Sequence, residues 1–185
     1  VMDTSVLTYD GNSQGAIMGG ALTAVAPDFT NAVLGVPGMN YSTLLNRSVD
    51  WEGELFDAEE PGLPAYSQVM YQSYPDAVEQ QLVFSLIQML WDRSESNGYA
   101  HHMTDDPYPN TPAHRVLLHV AFGDFQVANL AAEVQARTVG AAVLETALAD
   151  GRHWARDPFF GLERFSGSHA GSALVYMDSG NLVPP

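Results

Sequence analysis

The chain has 185 residues, 46% of them apolar, and a formal charge of −15 from 22 acidic residues against 7 basic ones, all arginine because lysine is absent. That length builds one sizeable core, and no apolar run is long enough to cross a bilayer. The acidic balance argues against nucleic acid or an anionic membrane as partner and favours neutral substrates, a saline or extracellular setting, or simple solubility, while the absence of cysteine excludes a disulfide framework and thiolate metal sites.

The chain opens without a basic or apolar leader and reads as the C-terminal part of a larger protein. A short apolar run, Val6-Leu7-Thr8-Tyr9, predicts a strand. Gly11-Asn12-Ser13-Gln14-Gly15 follows, and residues 16–26 carry a small-residue helical pattern. Strand, G-x-S-x-G turn and helix together make a nucleophile elbow, in which the serine is held in a strained backbone conformation with its hydroxyl at the top of a sheet. The two glycines then remove Cβ atoms that would collide with strand and helix. The competing reading is a Gly/Ser turn whose serine only caps the helix.

Asn31-Ala32-Val33-Leu34-Gly35-Val36, stopped by Pro37-Gly38, predicts the next parallel strand. Residues 39–64 become irregular and acidic, with Asp50, Glu52, Glu54, Asp57, Glu59 and Glu60, and read as a surface excursion. Helices are predicted over residues 64–74 and 76–93. The second is apolar on more than one face, so it is expected to be covered on both sides, as a cap or lid packed over the sheet or as an interface with a missing part of the protein. Residues 94–113, with Gly98, Pro107, Pro109 and Pro112, read as a loop.

Residues 115–122 are a strong strand signal running into Gly123-Asp124. Helical spacing follows from Val127 through Val139 and on to Ala142, Val143 and Leu144. Asp124 therefore ends a strand at the edge where ligand chemistry collects in open α/β sheets, although an Asp there also suits a plain helix start. A serine nucleophile in the order Ser, Asp, His needs a base after Asp124. His153, just past a helix end, suits an interaction with free carbonyls; His169, in a small-residue loop before the last strand at residues 172–176, is the better candidate.

Gly-x-Ser-Gln-Gly with Ile17-Met18-Gly19-Gly20, then Val36-Pro37-Gly38-Met39-Asn40-Tyr41-Ser42 and Gly171-Ser172-Ala173-Leu174-Val175-Tyr176, resembles the C-terminal half of a bacterial α/β-hydrolase family of secreted or periplasmic serine hydrolases. The resemblance spans nearly the whole chain. It implies a three-layer α/β fold, a mostly parallel sheet with helices on both faces and an inserted helical cap. Residues 1–38 would form the elbow unit, 39–113 the cap, and 114–185 the part carrying acid and base. Ser13 matches the nucleophile and Asp124 the acid. The catalytic histidine is then His169 or lies beyond Pro185.

The expected reaction is hydrolysis of a small-molecule or lipid-like carboxylic ester, with the backbone N–H of Gln14 in the oxyanion hole. A peptidase or amidase on the same fold, or a non-catalytic binding or assembly subunit, are the alternatives. A preceding segment or a partner chain is expected to complete the sheet and supply the second oxyanion donor.

No cofactor is expected, since neither a Walker nor a Rossmann fingerprint occurs. His101-His102 with Asp105-Asp106 read as a solvated or substrate-side loop rather than a metal site, because adjacent side chains in a flexible loop rarely converge on one ion. Asp92-Arg93 suit ordinary helix-end pairing. No two carboxylates are paired as a glycosidase requires.

Overall fold

The computed structural model describes residues 5–52, 65–145 and 148–181. Six strands form one sheet in which every neighbouring pair is parallel. They are β1 (Tyr9–Asn12), β2 (Asn31–Gly35), β3 (Arg115–Ala121), β4 (Ala142–Leu144), β5 (Arg164–Phe165) and β6 (Ala173–Met177), in the order β1-β2-β3-β6-β4-β5. Parallel neighbours need crossovers, and helices supply those from β1 to β2, from β2 to β3 and from β3 to β4, whereas the described residues between β4 and β5 hold no α-helix. Helix α1 (Gln14–Val25) joins β1 to β2, and α6 (Asn129–Thr138) joins β3 to β4. Between β2 and β3 lie α2 (Tyr41–Leu45), α3 (Val49–Glu52), α4 (Tyr66–Ser73), α5 (Ala77–Trp91) and two 3₁₀ turns, Ser96–Gly98 and Ala100–Met103.

This is an α/β architecture built on a parallel sheet. Residues on β3 alternate strictly between buried and exposed. Val116, Leu118 and Val120 join Leu34, Leu174 and Tyr176 in the main core, together with Ala16 and Ala24 of α1, Ala132 and Ala136 of α6, and Ala100 and Met103. The alanines and glycines of α1 let it lie close on the sheet: a Cβ on Gly19 would come within 2.5 Å of the Tyr9 ring and 3.1 Å of Leu34. The opposite β3 residues, Arg115, Leu117, His119 and Ala121, are exposed. Helices on both faces were expected; among the described residues the core helices pack on one.

Several boundaries differ from the sequence expectation. The first strand begins at Tyr9, and Val6, Leu7 and Thr8 are exposed. Ala142-Val143-Leu144 is strand β4, not a continuation of the helix, because the chain turns at Gly140 with φ 65°. The segment expected to be a loop before β3 contains the two 3₁₀ turns, whose Ser96, Ala100 and Met103 are buried. Ser96 Oγ donates to the Ile17 carbonyl at 2.9 Å and accepts from Gln135 Nε2 at 3.2 Å, tying the turn to α1 and α6.

Helix α5 is not covered on both sides among the described residues. Phe84 and Gln88 are buried, whereas Val78, Leu82, Leu86, Met89 and Leu90 are each more than 60% exposed. Its inner face is held by polar contacts: the Glu95 carboxylate accepts from Gln88 Nε2 at 2.7 Å and from the N–H groups of Tyr41 and Asn97, and Gln88 Oε1 accepts from the Ser42 N–H. A buried carboxylate with three donors satisfies its lone pairs and fixes α2 against α5. Of the acidic excursion, Glu54, Asp57, Glu59 and Glu60 lie outside the described residues.

Candidate active site

Ser13 stands between the end of β1 and the start of α1, with φ 55° and ψ −121°. A non-glycine residue at positive φ is uncommon and is held there only by its surroundings. Here the Ser13 N–H donates to the Gly35 carbonyl on β2 at 2.9 Å, while the Ser13 carbonyl accepts from Ala16 and Ile17 and so starts α1. Its side chain makes no capping hydrogen bond and is exposed. The alternative that Ser13 serves as a helix cap therefore fails, because the hydroxyl of a capping serine accepts from the first turn.

Gly11 is required by this geometry. A Cβ there would overlap the Gly15 carbonyl oxygen and come within 2.5 Å of the Tyr9 hydroxyl, which donates to that same carbonyl at 2.7 Å. Gly15 differs from the expectation: a Cβ on it would meet only the Tyr9 hydroxyl oxygen, at 4.0 Å.

Strain continues along the same edge of the sheet. Val36, the residue after β2, has φ 46°, and Asn40 has φ 64°. A β-branched residue at positive φ is an outlier. The Val36 N–H donates to the His119 carbonyl at 2.7 Å, and the Asn40 side chain accepts from the Thr43 N–H at 3.0 Å and the Ser42 hydroxyl at 2.8 Å. Gln14 opens α1, so its N–H lies at the positive end of the helix dipole. Its side-chain oxygen accepts from the Tyr41 hydroxyl at 3.2 Å. Burial, then Asp50 and Glu95, push the Tyr41 hydroxyl above its ordinary pKa, so it stays a donor. No local pattern in the sequence marks Tyr41 for this contact, 27 positions from Gln14.

Asp124 follows β3, at the carboxyl edge shared with Ser13, with β2 between the two strands. Its Oδ1 accepts from the N–H groups of Gln126 and Val127, both at 2.9 Å. The turn that carries it is clamped by buried Asn129, whose side chain accepts from Gly123 N–H at 2.9 Å and donates to the Ala121 carbonyl at 2.8 Å. Gly123 has φ 78°, which a side chain would oppose. Asp124 thus has a local structural task, and only one carboxylate oxygen performs it.

His169 is not brought to Ser13. It precedes β6, at the amino end of a parallel sheet, stacked on Phe165 at 4.5 Å and lining a surface depression with Asn31 and Arg115. Ser13 follows the carboxyl end of β1, so the two residues belong to opposite edges. His153 does not serve free carbonyls. Its Nε2 donates to Glu133 Oε1 at 2.8 Å while Nδ1 accepts from the Ala155 N–H at 2.9 Å. Both ring nitrogens are thus engaged locally, and neither is turned toward Ser13's strand. Tyr176 also donates to Glu133 Oε1, at 2.7 Å, and burial drives its hydroxyl pKa far upward.

Beside this network Arg152 makes a two-pronged pair with Asp178, at 2.6 and 2.7 Å, just beyond β6, and donates to the Asn181 carbonyl at 2.9 Å. In the sequence this stretch stands out only for its histidine. Among the described residues one group of three side chains has metal-ligating atoms close together: His101, His102 and Asp106.

Protein-family models, curated proteins and solved structures were compared with this chain, and none matches. No described helix is long and apolar enough to cross a membrane.

Proposed function

We propose that this chain carries the nucleophile and the acid of a serine hydrolase of α/β-hydrolase architecture that acts on carboxylic esters. The observation that carries the reading is Ser13: positive φ, a strand-to-helix turn, and a hydroxyl that is exposed and not used as a cap. Ser13 Oγ attacks the ester carbonyl, a histidine takes its proton, and the alcohol leaves as the acyl-enzyme forms; water then releases the acid by the reverse transfers. The Gln14 N–H donates to the oxyanion, and Asp124 orients the histidine.

Among the described residues, which include all six histidines of the chain, none hydrogen-bonds Ser13: His102, His114 and His153 engage Asp106, Ala26 and Glu133, His101 packs against His102, His119 stands on the exposed face of β3 opposite Gly35, and His169 lies at the other edge. In this reading the histidine is supplied by another segment or subunit. The resemblance and the acidic surface support a secreted or periplasmic setting, and the bare sheet face supports a covering segment or partner chain.

The same want of a histidine favours a second reading, a binding or assembly subunit that keeps the elbow without the chemistry. Hydrolysis of an activated short-chain ester by the native gene product separates the two. The hydrolase reading expects Ser13→Ala to lower kcat/KM at least about 10³-fold; unchanged turnover in that variant contradicts it.

A further inference from the structure

We propose that His101, His102 and Asp106 form a binding site for a divalent transition-metal ion of the zinc class. One ring nitrogen of each histidine and a carboxylate oxygen of Asp106 lie within 4.8 Å of one another. An ion holding ligands at about 2.1 Å spans at most about 4.2 Å between any two of them. A modest rotation of His101 and Asp106, both exposed, closes that gap.

The segment that carries these residues is folded, not a slack loop. His101 and His102 sit in a 3₁₀ turn whose Ala100 and Met103 are fully buried in the main core. The turn then folds back: the N–H groups of Asp105 and Asp106 both donate to the His101 carbonyl at 3.1 Å, which returns Asp106 beside the imidazoles. His102 Nδ1 faces the Asp106 carbonyl at 2.6 Å, and its ring stacks on Tyr108 at 4.1 Å and lies 3.9 Å from that of His101. A ring nitrogen that donates to a backbone carbonyl fixes a metal-binding histidine and leaves the other nitrogen its lone pair; Nδ1 is also the nitrogen 3.5 Å from Asp106 Oδ2, so the carboxylate reaches an ion on Nε2 by swinging round the ring.

Two imidazoles and one carboxylate select zinc, cobalt, nickel or copper over magnesium and calcium, which take oxygen ligands. Three protein ligands leave a coordination position for water or an exogenous group. The site lies on the segment leading into β3, where the His114 N–H donates to the Met103 carbonyl at 2.7 Å; this is the amino edge of the sheet, away from Ser13. Its ion is therefore separate from the ester chemistry. Binding to the folded turn stabilises it by mass action.

The test is calorimetric titration of the native protein with zinc in about 0.15 M salt, which screens the acidic surface, with excess magnesium present. One saturable site is expected. His102→Ala and Asp106→Asn should each weaken it at least tenfold, and His169→Ala should leave it unchanged. Cobalt absorption on the unsubstituted protein gives an independent readout of the histidine ligands and does not depend on how any variant folds. Zinc uptake without saturation, or a site that both variants retain in full, overturns the proposal.

Discussion

The N–H of Ser13 donates to the carbonyl of Gly35 at 2.9 Å, so the residue that would attack substrate is fastened by its own backbone to the neighbouring strand. That bond, with the two that the Ser13 carbonyl accepts from α1, holds an L-residue at φ 55°. Such conformations cost on the order of 1–3 kcal/mol and persist where the surroundings over-determine them.

Replacing Ser13 with glycine should relieve this strain. Ser13→Gly is expected to be more stable than Ser13→Ala by about 1 kcal/mol in urea unfolding. An alanine variant at least as stable as the glycine variant would mean that the turn is not strained.

The two elbow glycines should behave differently. Gly11→Ala forces a Cβ into the Gly15 carbonyl and the Tyr9 hydroxyl, and is expected to cost about 2 kcal/mol or more. Gly15→Ala adds a methyl with only one atom in reach, at 4.0 Å, inside a helix that favours alanine, and should change stability by less than about 1 kcal/mol. Equal losses at both positions would show that the elbow packs otherwise.

The Arg152–Asp178 pair predicts a pH dependence. The hydrogen bonds from Arg152, then that from the Gly180 N–H, hold the Asp178 carboxyl below its ordinary range. With the folded value below the unfolded one of about 3.9, the pair's contribution is complete above about pH 5 and is lost as the pH falls through the folded value. Asp178→Asn should therefore lose less stability than the parent between neutral pH and about pH 3, as read from urea midpoints. Parallel curves for the two proteins would contradict this.

What the sequence made legible follows the physics of each segment. The strand–turn–helix around Ser13, β2, α4, α5 and β3 were readable as elements, but the apolar run at residues 6–8 lies before β1 and the apolar faces of α5 did not tell which of them is covered. Ala142-Val143-Leu144 was misassigned because three apolar residues after a helix fit either period, and only the turn at Gly140 decides. The prolines of residues 94–113 signalled a loop correctly but hid the burial of Ser96, Ala100 and Met103, which depends on contacts with α1 and α6.

At the site, chain order singled out Asp124 and His169 alike, yet order along a chain does not say at which edge of a parallel sheet a residue sits. Asp124 follows its strand and His169 precedes one. The ties that fix Tyr41 to Gln14 and Arg152 to Asp178 join residues 27 and 26 positions apart, beyond the reach of any local pattern.

Whether Ser13 is an activated nucleophile is read by covalent labelling of the native gene product with a fluorophosphonate, followed by peptide mass mapping. One adduct is expected, on Ser13, abolished by prior unfolding. A folded protein whose Ser13 stays unmodified while the reagent is in excess would contradict it.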